Sequence, residues 1–241
     1  MKKKVLLLGA SGMIAPDLLP GLEDTYDLTL ADIAPHPDGR PILHCDVSSR
    51  EQVRDAAAGM DAIMNFTVVR DHPEQSFHVN MRGALNVMQA AVEHGIKKVI
   101  HTGPQFVRST YDHDFDIADV PPVLTTGYYC LTKGLASEIC RTYARAHGIQ
   151  TISFLFNGLG PRPTQSAGDF PPFTVVWEDL QQACRLALEI PAVPDCFQEF
   201  NLLSYEGHGK YNVDKARRIL GFEPTEHWER YFARNVSDTK E

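Results

Sequence analysis

Three things are scarce in this chain of 241 residues: cysteines spaced to pair, excess positive charge and long apolar runs. The five cysteines are odd in number and include no C-x-x-C, which argues against a disulfide framework and for a reducing compartment. With 31 acids against 23 bases, the net charge of −8 speaks against a nucleic-acid surface. No stretch reaches the roughly 20 apolar residues of a membrane span. Met1-Lys2-Lys3-Lys4 imitates the opening of a secretory leader, but only Val5-Leu6-Leu7-Leu8 follows before Gly9. These absences predict a cytoplasmic protein with neither membrane nor nucleic-acid partners. Repeats and low-complexity segments are also missing. His72 with His78, and Asp112-His113-Asp114, fall short of a complete ligand set, so no metal is expected.

What is present starts with that apolar run. Four buried-type residues ending in glycine read as a strand covered on both faces of a parallel sheet. Gly9-Ala10-Ser11-Gly12-Met13-Ile14-Ala15 follows directly, and a helix is expected to begin near Gly12. Gly9 permits a tight turn, Gly12 lets a pyrophosphate approach the backbone, and Ala15 allows close helix packing. The helix start would offer free N–H groups to phosphates. A second strand-like run, Leu28-Thr29-Leu30-Ala31, ends in Asp32 about 20 residues further on, where a carboxylate accepts ribose hydroxyls. Asp32 would repel a 2′-phosphate, so the coenzyme expected is NAD.

Strand-like and helix-like segments then alternate, which predicts right-handed crossovers and an α/β fold with a doubly wound parallel sheet of Rossmann type. Strands are expected over 41–45, 61–66, 99–102 and 151–156. Helices are expected from Ser48 or Ser49 to Ala58, over 73–94 and over 127–147. The domain reading is a dinucleotide-binding unit over 1–160. A small C-terminal substrate-side appendage over 161–241 is expected to pack on it without folding independently.

Tyr129-Cys130-Leu131-Thr132-Lys133 lies in the helix predicted over 127–147, so Tyr129 and Lys133, at i and i+4, share a face. A phenol of pKa about 10 is a poor base at neutral pH. Bringing it to about 7 requires roughly 4 kcal/mol, of which a nearby ammonium supplies part.

Together with Val79-Asn80-Met81-Arg82-Gly83, Gly95-Ile96-Lys97-Lys98-Val99, Asn157-Gly158-Leu159-Gly160-Pro161-Arg162 and Asp214-Lys215-Ala216-Arg217-Arg218, these motifs resemble the extended short-chain dehydrogenase/reductases, the branch of NAD-dependent epimerases, dehydratases and dehydrogenases. The resemblance implies Tyr129 as general acid/base, with Lys133 bonding the nicotinamide ribose. It also implies coenzyme contacts from Gly9, Ser11, Gly12, Met13, Ile14, Asp32, Asp46, Val47, Phe66, Thr67, Tyr129 and Lys133, and substrate contacts from Asn80, Gln105, Asn157 and Arg162. A homodimer through the helices around 79–91 and 129–143 is a further implication.

One motif departs from the family. Its third catalytic residue, a Ser or Thr past the fifth strand, falls in register on Gly103. Thr102 stands one residue early, on the opposite strand face, and can serve only if the chain bends there. Either Thr102 or Gln105 substitutes, or the activity is slow or altered. The short stretch between Asn157 and Trp177 leaves little room for a nucleotide-sugar grip, so a compact substrate is expected. In this truncation the chain resembles uronate dehydrogenases, although Ile152-Ser153-Phe154-Leu155-Phe156 carries no Arg for a carboxylate. Arg70, Arg108 and Arg162 are candidate replacements. Three functions follow in order: an NAD-dependent dehydrogenase of a small sugar, sugar acid or polyol; an epimerase or dehydratase reusing its NADH; and a dinucleotide-binding protein without catalysis.

Overall fold

The structure, a computed structural model, describes residues 1–104, 116–118, 126–156, 158–162, 174–207 and 209–228. The chain alternates β1 (Lys4–Leu8), α1 (Ala15–Leu18), β2 (Asp27–Asp32), β3 (Leu43–His44), α2 (Arg50–Ala56), β4 (Ala62–Asn65) and α3 (Pro73–Ser76). It continues through α4 (Gly83–Glu93), β5 (Lys98–Pro104), α5 (Tyr128–His147), β6 (Gln150–Phe156), β7 (Gly158–Gly160), β8 (Thr174–Val176), α6 (Trp177–Glu189), β9 (Phe197–Asn201) and α7 (Asp214–Leu220).

Seven strands pair in the order β3-β2-β1-β4-β5-β6-β9, every pair parallel, while β7 and β8 form a separate parallel pair. The order reverses between β1 and β4, which is the switch point where a doubly wound sheet opens a crevice beyond its strand ends. Alternation within β1 builds two cores. Val5 and Leu7 join the layer of α1 and α6, while Leu6 and Leu8 join that of α2, α4 and α5. The region after residue 160 contributes β9 to the sheet and α6 to the first of these layers. Asp179 on α6, buried, accepts from the Thr225 hydroxyl at 2.8 Å and ties down the following segment.

Three local expectations need correcting. The first helix begins at Ala15, not near Gly12, and lasts one turn: Pro16 sits at its start, and Pro20 falls in the 3₁₀ turn Leu19–Gly21 that ends it. Proline lacks the N–H that would continue an α-helix, so the run breaks where its prolines are. Secondly, the helix expected over 73–94 is helical over 73–93, but Phe77–Arg82 is wound as a π-helix. Thirdly, β5 does not bend at Thr102; it stays in register with β6 through Pro104.

Candidate active site

The turn after β1 is set by Gly9, whose φ of 82° is open to glycine and whose missing Cβ would stand 2.9 Å from the backbone of Phe66 and Thr67. The chain leaving β4 therefore passes directly against it. Asp32, at the end of β2, faces the same turn: its Oδ2 accepts from Ser11 N at 2.9 Å and its Oδ1 from Ala34 N at 3.0 Å. The Ser11 hydroxyl donates to Ala34 O at 2.8 Å, lashing the glycine turn to the chain beyond β2.

A groove of about 410 Å³ runs across these strand ends. It is lined by Gly9, Ser11, Gly12, Met13, Ile14 and Asp32 on one side, and by Asp46, Val47, Phe66 and Thr67 further along. Its size is that of a ligand cleft. Asp46 Oδ1 accepts from Ser48 N, and Val47 O accepts from Asn86 Nδ2, so this rim is internally braced. A smaller pocket of about 140 Å³ adjoins it, sharing Met13, Ile14, Phe66, Val68 and Arg70, and is closed by Thr102, Gly103, Tyr129, Lys133, Gly158 and Leu159.

Tyr129 and Lys133 are brought there by α5, which starts after Gly127 and puts both on the sheet side of its first turns. Lys133 is buried, and its Nζ donates to Thr102 O at 2.9 Å, Thr102 Oγ1 at 3.3 Å and Thr67 O at 3.4 Å. Burial lowers its pKa to about 8, with the nearby Arg70 charge acting in the same direction. Burial raises the Tyr129 phenol above its ordinary value, and the charge and hydrogen bond of Arg70 pull it back down. Arg70 therefore stands beside the phenol in addition to Lys133, its Cζ 5.4 Å from the Tyr129 ring centroid. Thr102 reaches the pocket without a bend, its hydroxyl held by Lys133.

Other positions read from the sequence sit differently. Asn80, in the π-turn, is buried and fully engaged: its Oδ1 accepts from Val69 N at 2.9 Å, and its Nδ2 donates to Val69 O at 2.7 Å and Thr132 Oγ1 at 2.9 Å. Arg162 pairs with Glu226 at 2.7 Å and Glu178 at 3.5 Å, away from the lining of both pockets. His72 caps α3, accepting from Gln75 N. Gln105, Asn157, Arg108 and Asp112-His113-Asp114 lie outside the described residues. Among the described residues no helix is long and apolar enough to cross a membrane.

One polar group beneath the site was missed by the sequence reading. His101, opposite Ser153 in the β5–β6 register, is buried, and neither its Nε2 nor the Ser153 Oγ finds a hydrogen-bond partner among the described residues. Desolvation first, and the Lys133 charge second, hold this imidazole well below the usual histidine pKa of 6.5. A group depressed on folding contributes stability that is complete above its unfolded pKa and is lost as pH falls below it. Unfolding free energy is expected to drop below pH 6.5 by about 1.4 kcal/mol per pH unit from this residue while the ring stays neutral. Urea titrations at pH 7 and pH 5 check this, because His101→Leu must flatten the difference; equal slopes would refute it.

The site's chemistry and topology agree with what the chain is similar to. Residues 5–174 match the model of the NAD dependent epimerase/dehydratase family, and the chain belongs to that family. A uronate dehydrogenase of Pseudomonas putida is 29% identical over 167 residues, 66% of this chain and 62% of the relative. The chain thus spans about three fifths of the length of the first curated relatives it matches, 62% and 61%. Among solved structures, a mutated uronate dehydrogenase superposes with a TM-score of 0.83 at 22% identity, covering 95% of this chain and 84% of the other. A tyrosine-to-alanine mutant of the Agrobacterium tumefaciens uronate dehydrogenase, complexed with NAD, gives 0.80 at 19% identity, covering 96% of this chain and 88% of the other. At such identities these structures establish the fold: a Rossmann-type α/β sheet.

The residues present fit the family's coenzyme. The glycine turn admits no side chain against Phe66 and Thr67, and each Asp32 oxygen, taking one backbone N–H, has acceptor capacity left for a hydroxyl.

Proposed function

We propose that this protein is an NAD-dependent oxidoreductase that removes hydride from a hydroxyl carbon of a small sugar, sugar acid or polyol, with Tyr129 as general acid/base. The observation carrying this reading is the junction of the two pockets: the groove over Gly9, Gly12 and Asp32 opens at Met13, Phe66 and Arg70 into the space bounded by Tyr129, Lys133 and Thr102. When bound, NAD supplies a hydride acceptor. Asp32 takes the adenosine ribose, and the backbone from Gly9 to Ile14 takes the pyrophosphate. Lys133 bonds the nicotinamide ribose and keeps a positive charge at the pocket floor. Tyr129 receives the substrate's hydroxyl proton, and the Thr102 hydroxyl, beside Lys133, is the candidate for bonding the reacting oxygen in place of the family Ser. Gln105 and Asn157 belong to the same reading on the substrate side.

The smaller pocket, about 140 Å³, favours a substrate of monosaccharide size over a nucleotide sugar. Asn80 holds the pocket wall in place, and Arg162 is assigned to the outer edge of the substrate region. We further propose a cytoplasmic homodimer, with α4 and α5 as the contact; Val92 and Leu135 are exposed on them. A panel of aldoses, uronic acids and polyols, followed by NADH absorbance, tests the activity. NADH is expected to accumulate with at least one acid or aldose, with NAD preferred over NADP. Product formed with no net NADH would move the assignment to an epimerase or dehydratase. Equal use of NADP would remove the role given to Asp32.

A further inference from the structure

The loop leaving β4 carries the least expected component of the site. Arg70 projects from it so that its Cζ lies 5.4 Å from the centroid of the Tyr129 ring. That is cation–π range. The same side chain lines both the 410 Å³ groove and the 140 Å³ pocket. Whereas Arg162 and Arg217 are each held by carboxylates, Arg70 has no carboxylate partner among the described residues. Its charge is therefore not neutralised where it meets the phenol.

Lys133 is placed otherwise. Its three N–H bonds face three acceptors, Thr102 O, Thr102 Oγ1 and Thr67 O. Resting on the reading above, in which Tyr129 exchanges the proton, we infer that Arg70 is a further catalytic residue of this site, whose guanidinium stabilises the Tyr129 phenolate alongside the Lys133 ammonium. A guanidinium stays charged at every working pH, whereas a buried ammonium is readily weakened.

The fold contains a device that holds Arg70 there. Asn80 grips Val69, the preceding residue, through both its backbone N–H and its C=O, and reaches Thr132 one turn along from Tyr129. One buried amide thus fixes the loop bearing the cation to the helix bearing the phenol. The π-winding of Phe77–Arg82 brings Asn80 to this point, as such segments often do at functional sites. Around Tyr129 the other titratable groups are Cys130 and Lys133 on its own helix, with His101 of β5 beyond Lys133. Asp71 and His72 follow Arg70 along the loop and are exposed. Burial disfavours the phenolate, and Arg70 is the group that offsets it.

The test reads ionisation without turnover. In the full chain labelled with carbon-13 at the tyrosine Cζ, the Tyr129 resonance is assigned by its loss in Tyr129→Phe. At a fixed alkaline pH, Arg70→Met is expected to lower the phenolate fraction of Tyr129 about tenfold, equivalent to one pH unit, and Arg70→Lys to restore part of it. In steady-state kinetics the ascending limb of kcat/KM is expected to move to higher pH with it. An unchanged phenolate fraction in Arg70→Met overturns the inference. Because Arg70 is exposed at the rim, its variants are expected to fold, and Arg70→Gln serves if the Met variant does not. Retained turnover in Tyr129→Phe would sink the functional reading instead, whatever the resonance does.

Discussion

Tyr129→Phe is expected to lower kcat/KM by about 10²–10⁴-fold, the range ascribed to a single general acid/base. The substitution deletes one oxygen and keeps the ring that Arg70 lies over, so packing at the start of α5 is preserved. Coenzyme affinity should persist, because the groove over Gly9, Asp32 and Phe66 does not include Tyr129. The expected signature is a collapse in kcat with NAD binding retained, as measured by initial rates alongside calorimetric titration of NAD. An interaction made only in the transition state behaves in this way, whereas one that merely grips substrate raises KM. Unchanged kcat on a verified substrate would remove Tyr129 from the chemistry and leave the two pockets as a binding site alone.

Much of this architecture was legible before any coordinates. Val5 to Leu8 announce a doubly covered strand because every residue is apolar, and Asp32 does end the next strand and line the groove, as its spacing from the glycine turn predicts. The ten residues from Gly9 to Thr67 assigned to the coenzyme do line one groove. What was not legible depends on contacts between distant segments. The π-turn is invisible in Phe77–Arg82 because the buried bonds satisfied there lead to Val69 and Thr132, not to neighbours in the helix. Arg70 was legible only as one of three candidate carboxylate partners, because nothing local reveals that it lies over the Tyr129 ring. A cation just past the carboxyl end of a central strand was the available signal, since that is where a doubly wound sheet opens its site. Thr102 was assigned to the opposite face by simple alternation; Lys133, arriving from α5, meets its hydroxyl all the same.

Gly9→Ala is expected to cost about 2–5 kcal/mol of stability: roughly 1–2 for an L-residue in the left-handed region and 1–3 for overpacking. The second part is what distinguishes this glycine. At 2.9 Å the new Cβ meets Phe66 C and Thr67 N, which are backbone atoms and cannot rotate aside. Against a typical total of about 5–15 kcal/mol, such a loss endangers the fold. Gly148→Ala, at the end of α5, isolates the first part, since φ there is 65° and nothing among the described residues lies within 4 Å of the added methyl. Chemical denaturation should therefore rank Gly9→Ala well below Gly148→Ala, and only the former should also lose NAD binding, because its relief requires the wall at Phe66 and Thr67 to move. Equal losses in the two variants would mean that the β1 turn and the β4 exit can separate freely, and the groove would no longer be a pre-formed cradle.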